Sequence, residues 1–271
     1  MLVRFITPLV LLCVFAGALP ARAQEPAKPA SQCQMIAQAL PDVVFASVRS
    51  ADVQSDGTVD ITYIGHSTFF IETAGGVKIA TDYNGWYRTP SLPTVVRMNR
   101  AHSSHYTMAP DAAIAHVLHG WRDDGGPADH DLVVGDVYIR NVPTDIRGWG
   151  GAMVENGNSI FIFEIAGLCI GHLGHLHHEL TEKQYAEIGR LDVLMVPVDG
   201  GLTMGTESMS RVVERLRSAL ILPMHRRGPP IAQFLSMFDE SFDVSLSDTA
   251  TVKVSTATLP RRPLILVLKG V

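Results

Sequence analysis

Three short apolar runs in this chain each lead into a loop that carries histidine. The runs are Thr94–Asn99, Leu168–Leu173 and Ala219–Met224, and the histidines that follow them include His105, His175 and His225. Apolar runs of this length are typical of buried strands. Because loops at the ends of strands gather at one edge of an α/β sheet, the pattern predicts that these imidazoles meet at a single site.

A metal centre is the chemistry that such a group of histidines favours, because neutral imidazole is the commonest protein ligand for zinc. The predicted ligands are His102, His105, His175 and His225. Three imidazoles with an open fourth position form a catalytic zinc site. Neutral ligands leave the ion its full charge, which favours a bound water with a pKa of about 7. Metal-bound hydroxide would then be the nucleophile. All-imidazole ligation favours zinc, with iron and manganese as alternatives.

The remaining histidines are predicted to have supporting or ordinary roles. His172 precedes a turn and is expected to hydrogen-bond the backbone, whereas His66, at a strand bend, is expected to support a ligand. His177 and His178 open the next helix, where either a supporting or a solvated position fits. The histidines interpreted as surface or packing residues are His116, His119 and His130.

The first 23 residues have the features of a secretory signal peptide. A short basic start is followed by the apolar run Phe5–Leu19 and by Ala21–Ala23, an A-x-A cleavage site. The run is short for a membrane span, so we expect no stable span after cleavage and a periplasmic or secreted protein. Residues 24–58 are predicted to be an N-terminal extension or linker, and residues 59–271 a single domain.

Composition narrows the class of partner. Of the 271 residues, 46% are hydrophobic and 18% are charged, which is enough for a large core. Removal of residues 1–23 takes away two arginines and changes the net charge from −5 to −7. No basic stripe is present, so the sequence predicts a small-molecule substrate and no nucleic-acid partner.

Two cysteines remain after cleavage, Cys33 and Cys169, in a compartment that permits disulfides. We nevertheless predict that they are unpaired, because Cys169 lies within a buried strand and Cys33 in a flexible N-terminal start. Cys169 is then either a small core residue or a metal ligand, and the core position is favoured.

The pattern of elements predicts many strands first and strand–helix–strand units afterwards. Helices are expected at 33–40, 111–118, 181–190 and 206–217, and a glycine-rich loop at 148–157. Thr181 and Gln184 form a capping-box pattern at the start of the third helix. Two sheets packed face to face with helices outside, an α+β arrangement, would bury these elements.

Six motifs together resemble the metallo-β-lactamase superfamily, and in particular its branch similar to L-ascorbate-6-phosphate lactonase. The motifs are Ile61–Glu72, Lys78–Asp82, Asn99–His105, Gly171–Thr181, Pro197–Gly201 and Ile221–His225. They cover most of the chain, from about Val59 to Arg226. The resemblance implies a four-layer αββα sandwich with a metal-dependent hydrolytic site at one edge.

The departures from the family pattern fall on the metal ligands. Arg100 stands where the resemblance implies the first histidine, and Ser104 where it implies an aspartate. His175 replaces the aspartate that bridges two metals, and Thr144–Arg147 lacks an expected histidine. The resemblance therefore implies one metal ion rather than two, or a site that has lost catalysis.

Two functions follow from these observations. The first is an exported metal-dependent hydrolase of a small ester, lactone, amide or phosphoester. Asp199 is its predicted proton-handling or supporting group, with Asp82 as a further candidate, although both also suit turn positions. Arg100 either fills space or holds an anionic group of the substrate. The alternative is a catalytically silent protein of the same fold that binds metal or a small ligand.

Overall fold

The computed structural model describes residues 30–35, 57–148, 150–227 and 231–271. The strands in these ranges are β1 Val59–Gly65, β2 Thr68–Thr73, β3 Lys78–Ala80, β4 Val95–Met98, β5 His116–His119, β6 Asp131–Val134, β7 Val137–Arg147, β8 Met153–Ile165, β9 Leu168–His172, β10 Val193–Pro197, β11 Leu220–Met224, β12 Asp243–Leu246, β13 Thr251–Val254 and β14 Leu264–Val267. The helices are α1 Gln32–Met35, α2 Glu182–Ile188, α3 Thr206–Leu216 and α4 Ile231–Leu235.

The strands form two sheets. The first has the order β13-β1-β2-β3-β4-β5, and the second has the order β12-β14-β11-β10-β9-β8-β7-β6. Strands β3, β4 and β5 run parallel, as do β9, β10, β11 and β14. The carboxyl ends of parallel strands share an edge, so the loops after β9, β10 and β11 emerge together.

Hydrophobic side chains fill the space between the two sheets. Phe69 and Ile71 of the first sheet pack with Phe161, Phe163 and Met195 of the second, and all five are buried. The helices lie on the outer face of the second sheet, where α3 buries Met209, Val212 and Val213 as the sequence predicts. The two-sheet α+β sandwich of metallo-β-lactamase type is confirmed.

Loop residues cover the outer face of the first sheet in the described part of the chain. Ile114 and Trp121 pack there against Phe70, Val96 and Met98. The described helices α1 to α4 therefore all belong to the layer outside the second sheet or to its margin.

Two predictions about local structure need correction, and a third is tested only in part. The helix expected at 111–118 is wrong, because His116–His119 forms β5 and pairs in parallel with β4. Strand pairing overrides the weak helical preference of a short uncapped segment. The loop expected at 148–157 ends earlier, since β8 begins at Met153. The helix expected at 33–40 overlaps α1, and residues 36–40 lie outside the described residues.

The prediction of unpaired cysteines is also wrong, because Cys33 and Cys169 form a disulfide. The backbone of α1 lies against the end of α2, where Arg190 donates its N–H to the Cys33 carbonyl at 2.9 Å. The Gln34 side chain donates to the Glu187 carbonyl at 2.8 Å. These contacts hold Cys33 beside β9, so the segment is docked rather than flexible.

The signal peptide predicted at 1–23, and most of the extension predicted at 24–58, lie outside the described residues. Within the described ranges, no helix has the length and apolar character needed to cross a membrane.

Candidate metal centre

Five histidines from four loops meet at one edge of the sandwich. His66 lies in the turn between β1 and β2, and His225 follows β11. The loop after β4 carries His102 and His105, and the loop after β9 carries His175. His105 and His225 are fully buried, His175 is 3% exposed, and His102 lies at the surface.

The centre of this group is a pair of imidazoles that face each other. Nε2 of His105 lies 3.0 Å from Nε2 of His225. The ring centre of His66 is 4.0 Å from that of His225, and the ring centre of His175 is 4.7 Å from that of His105. One ligand atom from each of His66, His102, His105 and His225 lies within 4.8 Å of the others.

A carboxylate lies behind each imidazole of the central pair. Asp82 Oδ2 is 2.8 Å from His105 Nδ1, and Asp199 Oδ2 is 2.8 Å from His225 Nδ1. The hydrogen bond to Asp82 holds the proton on His105 Nδ1 and leaves the His105 Nε2 lone pair directed to the centre. Asp199 is close enough to His225 Nδ1 to favour a proton there in the same way, although that nitrogen forms no hydrogen bond of regular geometry. Both pairs are fully buried, so solvent does not compete for these contacts.

This donor set fits a divalent metal ion. Two Nε2 lone pairs that face each other at 3.0 Å repel unless a cation lies between them. Imidazole nitrogens bound at about 2.0–2.1 Å to one tetrahedral zinc would lie about 3.3 Å apart, close to the distance found here. His105 and His225 are therefore the best-placed ligands.

Asp82 belongs to a buried network that extends away from the centre. Its Oδ1 accepts a hydrogen bond at 2.7 Å from Arg97, whose side chain is fully buried and also contacts His172. Burial lowers the pKa of Arg97 to about 10, although the Asp82 charge opposes this shift. His172 donates its Nε2–H to the Ser67 carbonyl at 2.9 Å, in line with the predicted backbone contact.

Asp199 is held by the turn that follows β10. Its Oδ1 accepts from the N–H groups of Gly201 and Thr203, both at 2.9 Å, and its Oδ2 accepts from the Thr203 hydroxyl at 2.7 Å. Burial alone would raise the pKa of Asp199, but hydrogen bonds from His225 and Thr203 outweigh it and leave the pKa well below its usual range. Asp199 is therefore a carboxylate at neutral pH.

Three residues of the centre adopt left-handed backbone conformations. The φ angles are 53° at His66, 41° at Asp82 and 53° at His225. Such conformations cost about 1–3 kcal/mol each in non-glycine residues and occur preferentially at functional sites. The His225 N–H donates to the His66 carbonyl at 2.6 Å, which holds two of these loops together.

The pKa values of His66, His102 and His105 are lowered, which keeps these three imidazoles neutral at physiological pH. Burial and the neighbouring His225 lower the pKa of His66 to about 4 and place the pKa of His105 well below its usual value. The pKa of His102 is lowered by the same two causes. Because ligation requires the neutral ring, these three histidines are already in the form that binds metal.

Ser104 replaces the family's aspartate with a neutral hydroxyl. Its Oγ lies 2.9 Å from His66 Nε2 and 2.6 Å from His102 Nδ1. The hydroxyl thus links His66 and His102.

A cleft of about 750 Å³ opens beside the histidines. The residues that line it include His102, His175 and His177, together with Arg100 and Trp121. A second cleft, of about 800 Å³, lies between β7 and α2 and contains none of the five clustered histidines. We place the candidate site at the first cleft because it adjoins the imidazole group.

The structure brings together most of the residues that the sequence indicated. His102, His105, His175 and His225 share the cluster, Asp199 adjoins His225, and Arg100 lines the cleft. Arg226 and Arg227 are exposed. His116 and His130 lie outside the ligand group, and Cys169 is in the disulfide.

The sequence interpretation missed the position of His66 within the ligand group. From its position at a strand bend, His66 is expected to have a supporting or structural role rather than to bind metal. The useful signal was the neighbouring Gly65, whose φ of 150° allows the tight turn that directs His66 inward.

Comparisons with known proteins agree with this geometry. The family model described as the beta-lactamase superfamily domain matches residues 60–225. A UPF0173 metal-dependent hydrolase of Pyrococcus abyssi is 26% identical over 223 residues, which cover 72% of this chain and 96% of that protein. A UPF0173 metal-dependent hydrolase of Pyrococcus furiosus is 27% identical, covering 64% of this chain and 88% of that protein.

Solved structures show the same fold. A Thermotoga maritima protein of the metallo-beta-lactamase superfamily superposes with a TM-score of 0.56 at 27% identity, covering 78% of this chain and 98% of that chain. A Parabacteroides distasonis structure gives a TM-score of 0.55 at 15% identity, covering 67% and 88%. The chain belongs to the metallo-β-lactamase superfamily. The resemblance to the L-ascorbate-6-phosphate lactonase branch stays a prediction.

Proposed function

We propose that the protein is an exported metal-dependent hydrolase of a small ester, lactone, amide or phosphoester. The observation that carries this proposal is the buried His105–His225 pair, with Nε2 atoms 3.0 Å apart and a carboxylate behind each ring. The UPF0173 relatives are named metal-dependent hydrolases, which supports the same class of activity.

His105 and His225 would hold the metal, with His102 and His66 as the nearest further ligands. When bound, a divalent metal supplies an activated water and polarises the oxygen of the bond under attack. All-imidazole donors favour zinc over other divalent ions.

The protein's own groups then hold and orient the reacting partners. Asp82 and Asp199 fix the two central imidazoles through their Nδ1 atoms. Arg100 lies on the cleft wall, is exposed, and forms no ion pair within the described ranges. Its fixed charge would bind an anionic group of the substrate.

One ion fits the site better than two. Ser104 provides a hydroxyl where a second metal would need a carboxylate, and Thr144–Arg147 provides no imidazole. The Cys33–Cys169 disulfide supports export, since structural disulfides persist mainly in oxidising compartments.

Metal analysis and a substrate panel test the proposal. The mature protein should carry about one zinc per chain and hydrolyse at least one member of an ester, lactone, amide and phosphodiester panel. Chelator should abolish turnover, and zinc should restore it. His225→Ala should lose both metal and activity, whereas His116→Ala, on β5, should keep both.

The alternative is a catalytically silent metal-binding protein, which the loss of ligands at Ser104 and Arg100 favours. One zinc per chain without turnover across the panel would select this alternative. Absence of zinc from the protein, with His225→Ala unchanged in zinc affinity, would refute the metal centre.

A further inference from the structure

His175 differs from the other clustered histidines in the groups that its ring contacts. Its Nδ1 lies 2.8 Å from Nε2 of His177 rather than beside a carboxylate. Its Nε2 is buried and has no hydrogen-bond partner in the described part of the chain. The His175 backbone is fixed, because its N–H donates to Asn158 Oδ1 at 2.8 Å.

The neighbours of His177 determine which of its nitrogens carries the proton. The Arg147 backbone N–H donates to His177 Nδ1, so that nitrogen has a lone pair. His177 Nε2 lies 2.9 Å from the Leu202 carbonyl, which only accepts, so Nε2 carries the proton. His177 is thus held as the Nε2–H tautomer from both sides.

This assignment fixes the tautomer of His175 in turn. Two N–H groups cannot face each other at 2.8 Å, so His175 Nδ1 accepts from His177 Nε2–H. A neutral imidazole has one N–H, which must then lie on His175 Nε2. Metal ligation through Nε2 would require a lone pair at that position.

The Nε2–H of His175 is therefore a buried donor without an acceptor, and such a group is costly to leave unpaired. His175 is part of the cleft wall, together with His102 and Arg100. A bound molecule with an oxygen at this wall would supply the missing acceptor.

We propose that His175 donates its Nε2–H to an oxygen of the bound substrate instead of ligating the metal, and that His177 is the residue that positions it. The inference rests on the proposed hydrolase function. Negative charge develops on the carbonyl or phosphoryl oxygen during attack, and a fixed donor at that oxygen stabilises the charge. No proton is transferred, because the imidazole donates a hydrogen bond only.

The tautomer can be measured without turnover. In protein with ¹⁵N-labelled histidine, long-range ¹H–¹⁵N correlations should show His175 Nε2 protonated and Nδ1 unprotonated. Addition of zinc should shift His105 and His225 and leave the His175 pattern unchanged. A protonated Nδ1, or a zinc-induced shift at His175 Nε2, would overturn the inference.

The role of His177 has its own spectroscopic test. His177→Phe keeps a ring at that position but removes the donor that faces His175 Nδ1. The His175 correlations should then report a mixture of both tautomers. An unchanged His175 spectrum would show that His177 does not position the proton.

Kinetics and metal affinity complete the test. His175→Ala should bind zinc within about threefold of the parent but lose about 100-fold in kcat on the substrate found in the panel, the lower end of the loss from removing one such donor. His175→Gln, which keeps an N–H, should recover part of kcat. His225→Ala serves as the control that loses zinc.

The outcomes separate this inference from the proposed function. Loss of zinc in His175→Ala alone would show that His175 is a ligand and would refute the inference while the hydrolase survives. Failure of the parent protein to bind zinc or to turn over any substrate would refute the proposed function, and the substrate contact of His175 with it.

Discussion

At the scale of single residues, the two carboxylates behind the central imidazoles, Asp82 and Asp199, have different contacts and therefore different roles. Asp199 contacts His225 and the turn that follows β10. Asp82 contacts His105 and also pairs with the buried guanidinium of Arg97. Asp199 therefore acts mainly on the metal centre, whereas Asp82 is needed for both the centre and the fold.

Replacement of Asp199 by Asn should weaken zinc binding. Loss of a carboxylate behind a ligating histidine lowers metal affinity by about 10–100-fold. Competition with a chromogenic chelator measures the change. The matched control is Asp136→Asn, because Asp136 also accepts from a hydroxyl and a backbone N–H, those of Thr73 and Gly75, but far from the centre. Equal affinities for the two variants would contradict the assigned contact.

Replacement of Asp82 by Asn should instead destabilise the metal-free fold, by about 3–5 kcal/mol. The change leaves the Arg97 guanidinium buried without an opposite charge, which is strongly unfavourable. Urea unfolding followed by circular dichroism gives the free energy. The double variant Asp82→Asn/Arg97→Met should recover part of the loss, since it removes the unpaired charge. A single-variant loss below about 1 kcal/mol would contradict the argument.

At the scale of elements, the connection between β9 and α2 depends on Gly174. Its φ is +63°, and a Cβ added there would lie 2.3 Å from Asn99 Nδ2 and 2.4 Å from Asn158 Oδ1. Asn158 Oδ1 accepts from the His175 N–H, so the crowding would act on the loop that carries His175. Glycine is required here by both its conformation and its neighbours.

We expect Gly174→Ala to cost about 2–4 kcal/mol of stability and to reduce kcat. Gly76→Ala is the control, because its φ of +84° is similar but no atom lies within 4 Å of the added Cβ. Gly76→Ala should cost only the conformational strain, about 1–2 kcal/mol. Thermal denaturation of both variants makes the comparison. Equal losses would show that crowding at Gly174 is absent.

The disulfide joins α1 to β9 across a sequence separation of 136 residues. A link across so long a loop restricts the unfolded chain strongly, so its removal should cost about 2–4 kcal/mol. Cys33→Ala/Cys169→Ala, compared with the oxidised parent in urea, measures this cost. The same variant should keep zinc affinity, because the disulfide contributes no ligand. A change in zinc affinity would show that the disulfide also affects the positions of the metal ligands.

The sequence predicted those elements whose pattern is local and regular. The three apolar runs form β4, β9 and β11, and the capping box at Thr181 forms as expected. Features that depend on distant partners were missed. β5 forms because it pairs with β4. Cys33 forms a disulfide with Cys169 because α1 packs against the end of α2. His66 joins the cluster through a turn that spacing alone does not reveal.

At the scale of the whole molecule, the two sheets place loops from distant parts of the chain at one edge of the sandwich. His66 and His105 come from the first sheet, whereas His175 and His225 come from the second. Contacts across this edge, such as that of His172 with the Ser67 carbonyl, join the sheets directly. Stability and site geometry are therefore coupled, and both should respond to protonation of the buried imidazoles.

Acid should destabilise the metal-free protein well above the pH at which its carboxylates titrate. Burial and the Arg97 charge lower the pKa of His172 to about 3, and burial lowers the pKa values of His66 and His177 to about 4. In the unfolded chain these histidines take up protons near pH 6.5. Between those values the unfolded state binds more protons, so the free energy of unfolding falls as the pH falls.

His172 gives the clearest test of this prediction because it is buried and lies outside the ligand group. The lowered pKa of His172 alone corresponds to a loss of about 2–3 kcal/mol in the free energy of unfolding between pH 6.5 and 4.5. Urea unfolding at half-unit pH steps, in the presence of chelator, measures the slope. The slope gives the number of protons that the chain takes up on unfolding. In His172→Gln this number should be smaller by about one, since glutamine does not titrate. A slope unchanged in His172→Gln would show that His172 is already protonated in the folded protein, which its contact with the Arg97 guanidinium argues against.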